Sequence, residues 1–127
     1  MQTLDVIVIG NGMVGHHFVQ SLYDIDPELM ITVIGAEPRP AYDRVHLSDV
    51  FGGKSADDLA LTTAQTYQSM GVDARFGVSV ESVDTLAKEL TTSEGDTFAY
   101  HHLVFATGSY PFVPPIPGNE HAKCLEY

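Results

Sequence analysis

Three glycines near the N-terminus have the spacing of a phosphate-binding turn. Gly10, Gly12 and Gly15 fit the pattern G-x-G-x-x-G and lie between an apolar run and a helical pattern. In that setting the first glycine permits a tight turn, the second lets the backbone approach a pyrophosphate, and the third lets the helix pack closely on the strand. Free backbone N–H groups and the positive end of the helix dipole would then face the phosphates. The motif predicts dinucleotide binding; the alternative is a glycine-rich turn with no ligand.

Two charged residues further along the chain fit the same kind of ligand. Glu37 follows Gly15 by 22 residues (37 − 15 = 22), and an acid about 20 residues on accepts hydrogen bonds from an adenosine ribose. Its charge also repels the 2′-phosphate of NADP, which favours FAD or NAD. Arg44 could pair bidentately with a pyrophosphate. The simpler interpretations are a surface acid and a solvated arginine, and His46 and Ser48 nearby are weaker candidates.

A third motif moves the expected cofactor from NAD towards FAD. The apolar run 103–107 ends in Ala106, Thr107 and Gly108, whose small size would let the chain pass close to a cofactor and turn away. It follows a hairpin pattern at residues 88–100, in which Ser-Glu-Gly-Asp has turn chemistry. This combination resembles the second fingerprint of flavoproteins that bind two dinucleotides. The alternative is a buried strand that ends at a glycine.

The first thirty-five residues predict a β-α-β unit that would position the glycines. The continuous apolar run 6–9 suits a strand buried on both faces. Val14, Phe18 and Leu22 are four residues apart and would share one face of a helix, which Pro27 ends at or before Asp26. A second buried strand is expected at residues 30–34. We therefore expect an α/β fold with a parallel sheet and an antiparallel hairpin insertion, as in Rossmann-like dinucleotide-binding domains.

The rest of the chain predicts a loop, helices and short strands. Residues 37–54 indicate a long loop with a short helical turn, and Ser55 with Asp58 has the form of a capping box. The helix that follows should break near residues 61–62 and reach about Met70, where Gly71 would cap it. Strands are expected at residues 72–76, 78–83, 88–92, 97–100 and 103–107. Four prolines, at positions 111, 114, 115 and 117, predict an extended exit.

Composition excludes several classes of function. The net charge of −11 argues against binding to nucleic acid or anionic membranes, since both are polyanions. The single cysteine, Cys124, excludes an internal disulfide framework and a multi-cysteine metal site, and the pairs His16-His17 and His101-His102 do not form chelating faces. We expect no metal and no membrane span. The N-terminus carries no basic leader, which predicts a cytoplasmic protein.

Three stretches together resemble one family. They are residues 9–16 (IGNGMVGH), 41–48 (AYDRVHLS) and 106–111 (ATGSYP), and they look like the N-terminal FAD-binding segment of the large subunit of NAD(P)H-dependent assimilatory nitrite reductases. The glycine and Ala-Thr-Gly motifs are shared by the wider FAD-dependent pyridine nucleotide-disulfide oxidoreductases. The same segment of ferredoxin or rubredoxin reductases, or of the electron-transfer subunit of assimilatory nitrate reductase, is also similar. An inert nucleotide-binding module is a further alternative.

The resemblance implies a function and a set of binding residues. Members of the family take a hydride from NAD(P)H onto FAD and pass electrons through iron–sulfur and sirohaem centres to nitrite. The flavin carries the redox chemistry, so no catalytic residue is assigned. The cofactor-binding residues implied are Gly10, Gly12, Met13, Val14, Gly15, Glu37, Arg44, Val80, Ala106, Thr107 and Gly108.

The length of the chain sets a further expectation. By the resemblance, residues 1–127 would form an incomplete Rossmann-like FAD-binding domain. This is a partial FAD/NAD(P)-binding domain, with the NAD(P)H-binding and downstream domains absent. There is one glycine fingerprint rather than two, and no cysteine cluster for iron–sulfur or sirohaem. We therefore expect a fragment that does not turn over by itself. A truncated parallel sheet would leave an open edge, which predicts self-association.

Overall fold

One mixed sheet organises the chain. The computed structural model describes residues 3–108 and residue 117. Within this part the chain forms three α-helices, one 3₁₀ helix over Leu47–Gly52 and six strands that belong to a single sheet. The helices are α1 (Met13–Ile25), α2 (Ala56–Leu59) and α3 (Ala64–Ser69), and the strands are β1 (Thr3–Ile9), β2 (Ile31–Gly35), β3 (Asp73–Phe76), β4 (Val80–Asp84), β5 (Glu89–Thr92) and β6 (Thr97–Phe105).

The sheet has a parallel half and an antiparallel half. Its strand order is β3-β2-β1-β6-β5-β4. Strand β1 is parallel to both β2 and β6, and β3 is parallel to β2. Strands β5 and β4 continue from β6 in antiparallel pairing. The predicted α/β fold with a parallel sheet and an antiparallel hairpin is confirmed.

Strand β1 lies in the interior of the sheet, and side chains on both of its faces are buried. Val6 and Val8 pack on the side of α1, in a core that also holds Val19 and Tyr67. Ile7 and Ile9 pack on the opposite side, against residues that include Leu90 and Tyr100. This two-sided burial explains why the strand reads as a continuous apolar run instead of an alternating one.

The predicted apolar face of α1 is partly wrong. Val14 is 72% exposed, and the buried helix residues are Gly15 and Val19. Phe18 and Leu22 do pack against the core, as expected. Val14 differs because it lies in the first turn of α1, beyond the end of the sheet, where it borders a pocket.

The predicted strand at residues 103–107 is not a separate buried strand. It is continuous with the second hairpin strand, and together they form β6, which pairs with β5 near Thr97 and with β1 as far as Phe105. Leu103 and Val104 are half-buried, and Phe105 is 65% exposed. Phe105 is exposed because it too borders the pocket at the end of the strand.

The helical connections agree with the sequence pattern. Ser55 Oγ accepts from the backbone N–H of Asp58 at 3.2 Å, and the backbone N–H of Ser55 donates to the carboxylate of Asp58 at 2.9 Å. This is the predicted capping box. The expected break separates α2 from α3, and the short helical turn in the long loop is the 3₁₀ helix.

Some predictions fall outside what this structure tests. Cys124 and the prolines of the expected extended exit, apart from Pro117, lie outside the described residues. No helix within residues 3–108 is long and apolar enough to cross a membrane. Strands β3 and β4 lie at the two edges of the sheet, and self-association through an edge stays a prediction, as does the cytoplasmic location.

Candidate functional site

The carboxyl ends of three parallel strands open into one pocket. Strands β1, β2 and β6 end side by side, and the pocket beyond them has a volume of about 750 Å³. This edge is where open α/β sheets bind ligands. Ten of the eleven predicted binding residues line it: Gly10, Gly12, Met13, Val14, Glu37, Arg44, Val80, Ala106, Thr107 and Gly108.

Residues 10–15, the glycine turn, are held by backbone contacts to both neighbouring strands. Gly10 has a φ of +109°, and a Cβ at this position would lie 2.1 Å from the carbonyl oxygen of Ala106. Its N–H donates to the carbonyl of Ile34 at 2.7 Å, and the N–H of Ala106 donates to the carbonyl of Ile9 at 2.8 Å. Only glycine has both the backbone freedom and the small size for this place.

Gly15, the eleventh predicted residue, lies behind the pocket wall. It is buried, and a Cβ there would lie 2.1 Å from the carbonyl oxygen of Gly10. The sequence predicted close packing of the helix on the strand. The closest contact is instead with the turn that joins them, so Gly15 and Gly10 fit against each other.

Gly12 differs from the other two glycines because there is free space where an added Cβ would lie. A Cβ there would meet no atom within 4 Å, and the residue borders the pocket. Gly12 is also the N-cap of the thirteen-residue helix α1, which has no side-chain cap and no acidic residue in its first turn. The first N–H groups of the helix have no hydrogen-bond acceptor within it, and together with the helix dipole they suit an anionic ligand.

On the β2 side of the pocket, Glu37 is paired with Tyr42. The hydroxyl of Tyr42 donates to Oε1 of Glu37 at 3.2 Å, and both residues line the pocket. Partial burial, and then the hydrogen bond and negative charge of Glu37, raise the pKa of Tyr42 above its ordinary value. The phenol therefore stays protonated and orients the carboxylate. Sequence reasoning assigned no role to Tyr42, since nothing in the pattern pairs it with Glu37.

Residues 41–48, the arginine loop, present Arg44 to the pocket. Arg44 is exposed and makes no ion pair within the described part of the chain. Its neighbours pair with each other: Nδ1 of His46 lies 2.6 Å from Oδ2 of Asp43, and this hydrogen bond lowers the pKa of Asp43. His46 and Ser48 do not line the pocket, so their candidacy as ligand-binding residues is not supported.

A hydrogen-bonded group behind the glycine turn was not found from the sequence. The hydroxyl of Tyr67, in α3, donates to Oδ1 of Asn11 at 3.0 Å and lies 3.0 Å from Nδ1 of His16. Burial raises the pKa of Tyr67 to about 12, so its hydroxyl remains a donor. Burial, and then the charge of His17, lower the pKa of His16. Tyr67 lies 56 and 51 residues from these partners, and no local pattern connects positions so far apart.

One donor in this group has no partner. Nδ2 of Asn11 is buried and makes no hydrogen bond to the described residues, although Asn11 itself lines the pocket. No group of three or more His, Cys, Asp or Glu side chains that could hold a metal is present within residues 3–108.

A comparison with known protein families identifies the family of this chain. Residues 4–127 match the model of the pyridine nucleotide-disulphide oxidoreductases. The chain belongs to this family. The family predicted from the sequence motifs is therefore confirmed, and membership supports FAD as the cofactor.

Relatives within the family include large subunits of nitrite reductases. The chain is 40% identical over 124 residues to the nitrite reductase [NAD(P)H] large subunit of Klebsiella oxytoca, covering 96% of this chain and 13% of the relative. It is also 40% identical over 129 residues to the nitrite reductase (NADH) large subunit of Escherichia coli K12, covering 100% of this chain and 15% of the relative. The chain thus spans about one seventh of these curated relatives.

Solved structures share the fold. A ferredoxin reductase for the CYP199A2 system from Rhodopseudomonas palustris superposes with a TM-score of 0.86 at 23% identity, over 95% of this chain and 30% of that one. The water-forming NADH oxidase from Lactobacillus brevis superposes with a TM-score of 0.85 at 22% identity, over 94% of this chain and 28% of that one. At these identities the likeness confirms the fold and leaves the reaction open.

Proposed function

We propose that the pocket binds the ADP half of FAD. The observation that carries this proposal is the convergence of the glycine turn, Glu37 and Arg44 around one pocket at the carboxyl edge of the sheet. In this proposal the pyrophosphate lies at the N-terminus of α1, where Gly12 leaves space and backbone N–H groups are unfilled. Arg44 supplies the positive charge and Glu37 accepts from the ribose.

The remaining predicted residues complete the same site. Val80 and Ser79 line the pocket, and so do Ala106, Thr107 and Gly108, which follow β6 in the chain. In the proposal Val80 lies against the adenine and the small residues run along the cofactor. Bound FAD would supply hydride acceptance and one-electron transfer. The side chains of this segment bind and orient it.

We extend the proposal to a longer protein in which this segment, a partial FAD/NAD(P)-binding domain, works with an NAD(P)H-binding domain and further domains. In that protein electrons pass from NAD(P)H through FAD, and nitrite is the favoured acceptor. The 40% identity to nitrite reductase large subunits supports this choice over the 33% identity to the assimilatory nitrate reductase electron transfer subunit of Bacillus subtilis. We expect residues 1–127 by themselves to bind cofactor without turnover.

Calorimetric titration of the 127-residue chain with FAD and with ADP tests the binding site. We expect both to bind, because the proposed contacts are with their shared ADP portion. Gly12→Ala puts a methyl group in the space proposed for the pyrophosphate and should weaken binding by more than about tenfold, or 1.4 kcal/mol.

Gly52→Ala is the matched control. Gly52 also has an ordinary φ and an empty Cβ position, and it lies outside the pocket. This variant should bind FAD like the wild type. The proposal fails if the wild-type chain binds neither FAD nor ADP, or if Gly12→Ala and Gly52→Ala bind equally well.

A further inference from the structure

Three polar side chains from three different elements meet behind the glycine turn. Asn11 comes from the turn, His16 from α1 and Tyr67 from α3. Tyr67 is fully buried in the core on the α1 side of the sheet, and its ring stands edge-on to the ring of His16 with centroids 5.8 Å apart. Tyr67 does not line the pocket, whereas Asn11 does. The phenol hydroxyl therefore lies one side chain away from the proposed ligand.

The orientation of the Asn11 side chain depends on one hydrogen bond. Its Oδ1 accepts from Tyr67, and its Nδ2 has no partner among the described residues. The backbone at Asn11 is tightly packed, because a Cβ at Gly35 would lie only 2.9 Å from the Cβ of Asn11. Loss of the phenol hydroxyl would leave both ends of the Asn11 amide, whose nitrogen is buried, without a partner among the described residues, which is costly.

The segment that carries Tyr67 also holds the opposite side of the pocket. The N–H of Leu61 donates to the carbonyl of Ala41 at 2.9 Å, and the N–H of Asp43 donates to the carbonyl of Leu59 at 2.7 Å. These bonds fix the start of the arginine loop. Residues 59–67 are therefore attached to both walls of the pocket, to one through the backbone and to the other through Tyr67.

We propose that Tyr67 is a positioning residue for ligand binding, whose hydroxyl holds Asn11 and thereby keeps the glycine turn in the conformation that accepts a pyrophosphate. This inference rests on the proposed function, since it concerns affinity for FAD. It assigns a role in binding to a core residue that does not touch the ligand. A purely structural tyrosine would instead affect stability and leave affinity unchanged.

A double-mutant cycle tests the route from Tyr67 through Asn11. We expect Tyr67→Phe to weaken FAD binding about three- to tenfold, the range for one hydrogen bond. Asn11→Ala should weaken binding at least as much. If Tyr67 acts through Asn11, the double variant binds no more weakly than Asn11→Ala alone. Independent, multiplying losses in the double variant would overturn the proposal.

Tyr100→Phe is the matched control. Tyr100 is also buried, lies on the other face of the sheet, and makes no side-chain hydrogen bond to the described residues. It should bind FAD like the wild type. If Tyr67→Phe binds as tightly as Tyr100→Phe, the proposal fails while the proposed function stands. If the wild-type chain binds neither FAD nor ADP, both fail.

A measurement on the wild-type chain keeps the proposal testable if Tyr67→Phe does not fold. The single hydroxyl proton of Tyr67 is donated to Asn11, so its oxygen accepts from Nδ1–H of His16. Nitrogen-15 NMR at neutral pH should therefore find the proton of His16 on Nδ1. A proton on Nε2 alone would mean that the hydroxyl donates to His16 instead, and this would overturn the proposal.

Discussion

The two walls of the pocket are built in different ways. The glycine turn is held by backbone contacts in which an added Cβ atom would overlap a carbonyl oxygen. The arginine loop is held by a few backbone bonds to residues 59–61 and by exposed side-chain pairs such as Asp43 with His46. One wall therefore depends on shape and the other on charge. Substitutions at Gly10, where an added Cβ would overlap the backbone, should mainly affect folding, whereas those at Arg44 should mainly affect ligand affinity.

The largest effect should come from Gly10→Ala. The new Cβ would lie 2.1 Å from the carbonyl of Ala106, at a φ of +109° that alanine strongly disfavours. We expect the free energy of unfolding to fall by more than about 3 kcal/mol, as for other strained and overlapping backbone sites. Urea denaturation followed by circular dichroism measures this loss.

Gly12→Ala is the matched substitution in the same turn. Its Cβ would meet no protein atom within 4 Å, at a φ of −93°. We expect it to lower the free energy of unfolding by less than about 1 kcal/mol, the usual difference between residues at an N-cap. Equal losses in the two variants would show that shape does not govern this wall.

Arg44→Ala tests the wall that depends on charge. Because Arg44 makes no ion pair within the described chain, its loss should leave the unfolding free energy nearly unchanged. Affinity for FAD should fall by about 1.5–3 kcal/mol, the usual value of a hydrogen bond to a charged group. Arg44→Lys should recover part of this loss, since it keeps the charge without the bidentate fork. Calorimetric titration separates the three proteins.

Arg75→Ala is the control for charge alone. Arg75 pairs with Asp73 and Asp96 on the surface, and it does not line the pocket. The substitution removes the same charge from the chain as Arg44→Ala. FAD affinity should nevertheless change little at moderate salt, because distant charges are screened. A loss as large as that of Arg44→Ala would point to net charge instead of a specific contact.

Features that depend on residues close together in the chain could be predicted from the sequence. The glycine turn was predicted correctly because each of its requirements is local: a strand, a tight turn and a helix N-terminus follow one another in the chain. The position of Glu37 at the pocket was also expected, because its spacing from Gly15 reflects the length of one β-α-β unit; its role in binding stays a prediction. Arg44 was located by its proximity to the predicted phosphate site and by family resemblance.

Other features were missed because they arise from tertiary contacts. Tyr67 reads as an ordinary core residue of a helix, and its partners Asn11 and His16 are distant in sequence. The exposure of Val14 and Phe105 was also missed. Both are apolar residues in apolar patterns, and they are exposed because a pocket opens where the sheet ends. Periodicity shows which apolar residues share a face of a helix or strand, but it does not predict what covers that face.

Ser55→Ala should have a smaller effect, transmitted to the arginine loop. Loss of the capping box should cost about 1 kcal/mol and destabilise α2, whose last residue, Leu59, accepts from the N–H of Asp43. Hydrogen exchange at the amides of Asp43 and Leu61 should accelerate, while exchange at Gly10 stays unchanged. Ser69→Ala, at the end of α3 where Ser69 bonds to the carbonyl of Gln65, is the control. Faster exchange at Gly10 would show that the backbone of the glycine turn depends on α2 and not only on its own contacts with β2 and Ala106.

The smallest effect should be a pH dependence that arises behind the glycine turn. Burial, more than the charge of His17, lowers the pKa of His16 below its ordinary value of 6.5. The unfolded chain therefore takes up a proton at a pH where folded His16 is still neutral. The contribution of His16 to stability is complete above pH 6.5 and is lost as the pH falls through the lower pKa of the folded state.

In His16→Gln this part of the pH dependence should disappear, whereas His101→Gln, in an exposed position of β6, should keep it. Urea midpoints measured from pH 7.5 to 5 make the comparison, and parallel curves for the wild type and His16→Gln would show that the group behind the turn does not favour neutral histidine.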